Sequence, residues 1–498
     1  MMKYVIILYE VKNMKKIKIL LLVLLAFVTF GCKNNNNEKE IEKLKVFVIN
    51  DLHGALEQEN GEYGAARLSW LVERERKVEG QEVLLLCAGD TFQGSAVSNY
   101  SYGLNTVKVM NHMKFDAMTI GNHEFDWDLS TILNYVDGNV SNGEANFPFL
   151  ACNIIDKTTN SIPQYVKEYE VVDYGSFQVG IIGYIGSTLE SDISASKVEN
   201  YDFVDPVNRI GELSKELRTQ KGCDLVLAMG HDASSSTNIK IADFSGDSAI
   251  DGIINAHTHT MYENTIINGN GDKIPLTQAG TAGEYMTEIV YNFDKESVSF
   301  SEGVPFNHDM SLYPNGIDQA VQQMVDQMTA EIAPIMNEVV SIAGQYVSKS
   351  SVCKWTADAI HQSVDCDLAA INSGGIRQSA FPIYEGSDVT VKKIYEIMPF
   401  DNLVKTCEVK GSDLKEILFI NDAVFSSNVV FEGSVVYING KLVEDDKIYK
   451  FACVDYLFDR DACIYEKGMN TEILQLLVRD AMINALRDLK NNNQRWLD

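Results

Sequence analysis

The chain predicts a layered α/β fold with parallel strands at its centre, and three observations lead there. Apolar runs with little polar alternation recur at 44–49, 83–88, 117–120, 224–229 and 250–256, the pattern of strands buried on both faces. Amphipathic stretches such as 65–78 and 208–217 lie between them and supply the crossover helices that parallel strands require. Each run also ends in polar residues: Asp51-Leu52-His53, Gly89-Asp90, Gly121-Asn122-His123-Glu124-Phe125-Asp126, Gly230-His231-Asp232 and His257-Thr258-His259. The carboxyl ends of such strands are where open α/β sheets build their sites.

From the amino end, Lys12, Lys15, Lys16 and Lys18 precede an apolar stretch at 19–30, long enough for a signal-peptide core and short for a membrane span. It closes on Thr29-Phe30-Gly31-Cys32 and runs into Lys33 and asparagines 34–37, which resembles a bacterial lipoprotein signal. Residues 1–32 are therefore expected to be a signal peptide with Cys32 as the lipidated residue, and Met14 is better placed as a start than Met1. Residues 33–43 read as a polar tether. The protein is expected to be exported and held to the outer face of a bacterial membrane by its lipid alone.

The 44–312 region carries the strand-end clusters. A break follows at Tyr313-Pro314-Asn315-Gly316, and then a helical pattern of Ile317, Val321, Met324, Met328 and Ile332, which Pro334 kinks or ends. That segment, 313–340, is expected to link the halves. From 341 to 498 a second, smaller α/β domain is expected, with strands at 368–371, 404–409, 434–438 and 450–457 and helices at 391–398, 413–419 and 471–489.

A chain of 498 residues, 45% hydrophobic, can bury more than one core. Its formal charge of −28 argues against nucleic-acid polymers and anionic membrane surfaces as partners. A small anionic substrate stays compatible, because bound divalent cations dominate the field around themselves. Besides Cys32 there are cysteines at 87, 152, 223, 353, 366, 407, 453 and 463, with no CxxC motif. They read as small core hydrophobes, and Cys453 with Cys463 is the one pair worth testing as a disulfide.

Only eight histidines occur, yet His53, His123, His231, His257 and His259 all fall in strand-end clusters. With Asp51, Asp90 and Asn122 they form an imidazole and oxygen donor set that suits Zn²⁺, Mn²⁺ or iron. With His123 set apart, seven candidate ligands exceed what one tetrahedral ion takes. Two ions about 3.5–4 Å apart would use them all and could clamp both oxygens of a phosphoryl displacement.

Asn50-Asp51-Leu52-His53-Gly54, Gly89-Asp90-Thr91-Phe92-Gln93-Gly94-Ser95 and Gly121 to Asp126 resemble the calcineurin-type metallophosphoesterase signature, and within it the 5′-nucleotidase and UDP-sugar hydrolase family. Asn372-Ser373-Gly374-Gly375-Ile376-Arg377 and Pro399-Phe400-Asp401-Asn402 are similar to that family's C-terminal substrate domain. The resemblance implies a four-layer α/β/β/α sandwich followed by the smaller domain. It implies that Asp51, His53 and His259 hold one metal, that Asn122, His231 and His257 hold the other, and that Asp90 bridges them. It also implies in-line attack on phosphorus by a metal-activated hydroxide, with His123 stabilising the transition state or protonating the leaving group and Asp126 orienting its ring.

In the second domain the same resemblance assigns Asn372, Gly374, Arg377 and Asn402 to a small nucleotide substrate, with Phe400 stacking on its base. The family's Gly-rich loop near the C-terminus is here Asp455-Tyr456-Leu457-Phe458-Asp459-Arg460-Asp461, without glycine, and Tyr456 and Asp461 are its nearest equivalents. The segment between 420 and 433 is shorter than in relatives, and Lys354-Trp355 replaces a small Gly-Asn pair. The expected activity is release of phosphate from 5′-nucleotides, with 2′,3′-cyclic nucleotides or UDP-sugars as alternative substrates. A surface nucleotide-binding lipoprotein without turnover is the rival, and against it every proposed ligand is still a residue able to coordinate.

Overall fold

The computed structural model describes residues 43–58, 63–293, 298–301, 307–420 and 422–498. The expected leader with Cys32, and the tether as far as residue 42, lie outside the described residues.

The parallel strands form, but in two sheets where the apolar runs alone suggest one. Strands β1 (Lys43–Ile49), β2 (Gln81–Cys87) and β3 (Ala117–Thr119) lie side by side in an eight-stranded sheet, with Lys43 opposite Gln81 and Leu86 opposite Ala117. Strands β4 (Leu225–His231) and β5 (Gly252–Ile254) pair in parallel within a second, six-stranded sheet. A run buried on both faces carries no mark of which partner covers it, so the pattern could not assign sheets.

The sheets pack face to face. Thr119 Oγ1 donates to Met229 O across the gap at 3.2 Å. Gly183 permits the approach, since a Cβ there would lie 2.2 Å from Leu150 Cβ. Helix α1 (Ala65–Glu75) covers the first sheet with buried Leu68, Leu71 and Val72. Helix α2 (Val207–Glu216) covers the second with Ile210 and Leu213, each fully buried and contributing about 2 kcal/mol by its removal from water. The result is the α/β/β/α sandwich.

Helix α3 (Gln319–Met336) packs against α1, the helix Leu104–Met113 and the helix Val391–Ile397. It buries Val321, Val325, Met328 and Ile332, so it is a packed element and not a free connector. Pro334 falls in its last turn, and the helix runs on to Met336.

The C-terminal half holds a five-stranded sheet containing β6 (Leu368–Asn372), β7 (Leu403–Lys410), β8 (Ile448–Val454) and β9 (Met469–Leu477). Helix α4 (Lys349–Ser363) packs on β6. Two expectations fail here. The strand expected to reach residue 457 ends at Val454, and Asp455–Arg460 winds into helix α5. The helix expected from 471 begins only at Val478, as α6 (Val478–Asn491), because the preceding residues pair along the open edge of β7, Lys405 opposite Ile473. The apolar residues of 471–477 fit either period, and the unpaired edge decides between them. All eight cysteines outside the leader are free, Cys453 and Cys463 included, so the candidate disulfide is absent. Among the described residues no helix is long and apolar enough to cross a membrane.

Candidate metal centre

The loops leaving the five strands interlock through backbone hydrogen bonds. Asp51 N donates to Gly89 O at 3.0 Å, His53 N to Asp90 O at 3.0 Å and Ala282 N to Asp51 O at 2.8 Å. These bonds hold an unusual backbone: Asp51, His53, Asp90, His257 and His259 all have φ between 48° and 77°. For a residue with a Cβ that left-handed region costs about 1–2 kcal/mol each. Five strained positions in one cluster mark a site whose geometry is imposed by its surroundings.

Two donor groups result, each with its ligand atoms within 4.8 Å of one another. One comprises Asp51, His53, Asp90 and His259, the other Asp90, His231 and His257. Asn122 joins the second group, its Oδ1 lying 3.2 Å from His231 Nε2 and 3.1 Å from His257 Nδ1. All seven side chains expected to bind metal therefore come together, with Asp90 common to both groups.

The chemistry of the donors fits a pair of cations. His231 Nδ1 lies 2.9 Å from Ala88 O and His53 Nδ1 lies 2.9 Å from Gln93 O, which places the ring proton on Nδ1 in each. The two Nε2 atoms then face acceptors and another imidazole: His231 Nε2 is 3.1 Å from Asp90 Oδ2, and His53 Nε2 is 3.1 Å from His259 Nε2. Burial opposes charge on His231, yet Asp90 and Asp51 outweigh it and push the ring up to about 10. The buried carboxylates call for positive charge at this point.

Beside the cluster, His123 Nδ1 lies 2.9 Å from Asp126 Oδ2, and its backbone N–H donates to Asp90 Oδ1 at 2.9 Å. Burial works against protonation of His123, but Asp126 and Asp90 overcome it and raise the ring above its ordinary value. Glu124 is fully buried and clamps the loops together, accepting from the backbone N–H groups of Asp90 (2.9 Å), Thr91 (2.8 Å) and Gly121 (2.7 Å). Burial, reinforced by Asp90, pushes its carboxyl up to about 7.

A cavity of about 290 Å³ opens next to His123. Asn122, His123, Asp126 and His257 form one wall, and Asn372, Gly374, Arg377, Phe400, Asn402 and Tyr456 form the other. Phe400 stacks on His123 at 5.6 Å, and the Arg377 guanidinium sits 4.6 Å from its ring centroid. Arg377 also lines a second cavity of about 320 Å³ that reaches His53 and His259, so this cation stands between the two.

Asp461 departs from expectation. It caps the helix Ala462–Lys467, accepting from Cys463 N at 2.9 Å and Ile464 N at 3.1 Å, and does not line the cavity. A helix advances about 1.5 Å per residue where an extended loop advances about 3.3 Å, so winding 455–460 into α5 carries Asp461 away. Asp455 lines the cavity instead, held by Asn402 Nδ2 at 2.9 Å and Leu403 N at 3.1 Å. Asp192, 3.5 Å from His257 Nε2, and Asp422 also line it and were not anticipated. Neither follows a buried strand in the way the ligand motifs do, and no local signal marks them.

Residues 44–261 match the family model of calcineurin-like phosphoesterases, and residues 328–463 match that of the 5′-nucleotidase C-terminal domain. With the sandwich and the two donor groups, these matches define the protein as a metal-dependent phosphoester hydrolase of the metallophosphoesterase class. A snake venom 5′-nucleotidase from Crotalus adamanteus is 26% identical over 422 residues, covering 75% of this chain and 69% of the relative. A 5′-nucleotidase from Vibrio parahaemolyticus is 26% identical over 459 residues, covering 82% and 79%. The solved 5′-nucleotidase precursor from Thermus thermophilus shares the fold, with a TM-score of 0.69 at 19% identity over 90% of this chain and 97% of that one. The chain thus carries a calcineurin-like phosphoesterase domain followed by a 5′-nucleotidase C-terminal domain.

Proposed function

We propose that the protein is an exported two-metal phosphohydrolase that releases phosphate from 5′-nucleoside monophosphates. Asp51, His53 and His259 would hold one divalent cation, Zn²⁺, Mn²⁺ or similar, and Asn122, His231 and His257 a second, with Asp90 touching both. When bound, such a pair neutralises the phosphoryl oxygens and ionises water near neutral pH. The observation that carries the reading is the position of Asp90: one oxygen faces His231 in the shared donor group while the other accepts the N–H of His123.

That link sets the catalytic imidazole beside the place where phosphorus would sit. Asp126 holds Nδ1, which leaves Nε2 of His123 to carry a proton to the departing 5′-oxygen. Arg377 would grip phosphoryl oxygens from the side opposite the carboxylates. Phe400 and Tyr456 would flank the base, Asn372, Gly374 and Asn402 would shape the pocket, and Asp455 would accept from ribose hydroxyls. The leader motif ending in Cys32 supports lipid attachment at the outer face of the membrane.

The test is the purified chain from about residue 38 assayed against AMP, a 2′,3′-cyclic nucleotide and a UDP-sugar, with chelator and metal add-back. Fastest turnover of AMP, abolished by chelation and restored by metal, is the expected result. Activity that survives chelation, or a clear preference for either other substrate, overturns it.

A further inference from the structure

A third cavity, of about 590 Å³, lies wholly within the C-terminal half, apart from the metal-competent cluster. Lys349 and Lys354, the rings of Tyr346 and Phe381, Ser373 and Gln378 are among the residues that line it. We propose that it binds a second anionic ligand, an aromatic phosphate of mononucleotide size.

The volume falls in the range of about 300–1,000 Å³ typical of small-molecule sites. Its charge selects the ligand. In a chain of formal charge −28, both lysines on this wall lack an ion-pair partner among the described residues, and no carboxylate is among the described residues that line it. Lysine ammonium groups left unneutralised beside a cavity suit a phosphate as point charges. Lys354 stands on α4, as Lys349 does. Its neighbour Trp355 has a different task, packing edge to face on buried Trp496 at 5.3 Å.

The apolar side selects an aromatic group. Tyr346 is 60% exposed, a large ring left open to solvent at the cavity mouth, and Phe381 faces the same space. Rings so placed offer a stacking surface for a base. Its lining residues alternate along the chain with those of the 290 Å³ cavity. Ser373 lies between Asn372 and Gly374, its hydroxyl is hydrogen-bonded to Asp422 of the 290 Å³ cavity, and Gln378 follows Arg377.

The experiment is calorimetric titration of the metal-loaded full chain with an AMP analogue in which a methylene group replaces the 5′-oxygen, so that no ester is available for hydrolysis. Three proteins are compared: the parent, the Lys349→Gln/Lys354→Gln double variant and Arg377→Ala. A binding step present in the parent, kept by Arg377→Ala and at least tenfold weaker in the double variant is the expected result. Superimposable titrations of parent and double variant overturn the proposal, as does loss of every binding step in Arg377→Ala. Because the readout is the lysine-dependent step, it stands apart from whether the 290 Å³ cavity binds nucleotide.

Discussion

On one side of the 290 Å³ cavity, Asn122, His123, Asp126 and His257 follow short strands, and their loops are tied together by the Asp51, Asp90 and Glu124 carboxylates, which accept backbone N–H groups. On the other side, Arg377, Phe400, Asn402 and Tyr456 come from separate loops and a helix and are fixed by one another. Asn402 holds Asp455, Arg377 covers Phe400, and Asp401 is shared by Arg479 and Trp127 Nε1. The first wall is set by strand order, so its parts keep their spacing in the chain. The second is set by side-chain packing, where one loop exchanged for a helix moves an acidic residue out of the cavity and brings another in.

If the first wall performs the chemistry, the largest effect belongs to the residue common to both donor groups. Asp90→Ala is expected to lower kcat by about 10³-fold or more, with metal analysis falling below two ions per chain. Full activity with both metals retained would break the contrast between the walls. His123→Ala is expected to reduce kcat by about 10²–10⁴-fold while metal content and KM for AMP stay close to the parent values. An equal rise in KM would mean that His123 belongs to binding.

The second wall should answer in KM. Tyr456→Ala is expected to raise KM for AMP by about tenfold, with kcat within about threefold, since a stacked base contributes about 1–3 kcal/mol. A loss confined to kcat would show that the packed wall, too, acts on the reacting atoms.

The smallest effect on activity, and a control for both walls, comes from Asp116, which precedes β3 at the end away from Asn122. Burial pushes its carboxyl up to about 6, against a lowering by the Leu85 N–H and Arg76. A folded value above the unfolded one means that stability is fully present below about pH 4 and is lost as pH rises through 6. Asp116→Asn should therefore match the parent near pH 4 and exceed it near pH 7 by at most about 3 kcal/mol, read as Tm, with kcat unchanged. A Tm difference that does not vary with pH would remove the titration from the explanation.

Much of the donor set was legible because a polar residue placed directly after a buried strand has little choice of destination. Asp51, Asp90, Asn122, His231 and His257 converge whichever sheet their strands join, since both sheets present their carboxyl ends to one region. The role of Glu124 as a clamp on three N–H groups was not legible, because it required the loops in place. Asp192 and Asp455 were not legible, because they enter the cavity from a short turn and a helix start that no periodicity announces.

By itself the sequence determined the donors, their order along the chain and the strand and crossover pattern that gathers them, because period and strand-end position are local properties. Only the tertiary structure decided which strands join which of the two sheets, that 469–477 is an edge strand and that 455–460 is a helix carrying Tyr456 but not Asp461 into the cavity. A doubly buried run packs equally well against either sheet, and a segment that fits two periods takes the one whose backbone groups find partners. Those outcomes depend on neighbours distant in the chain.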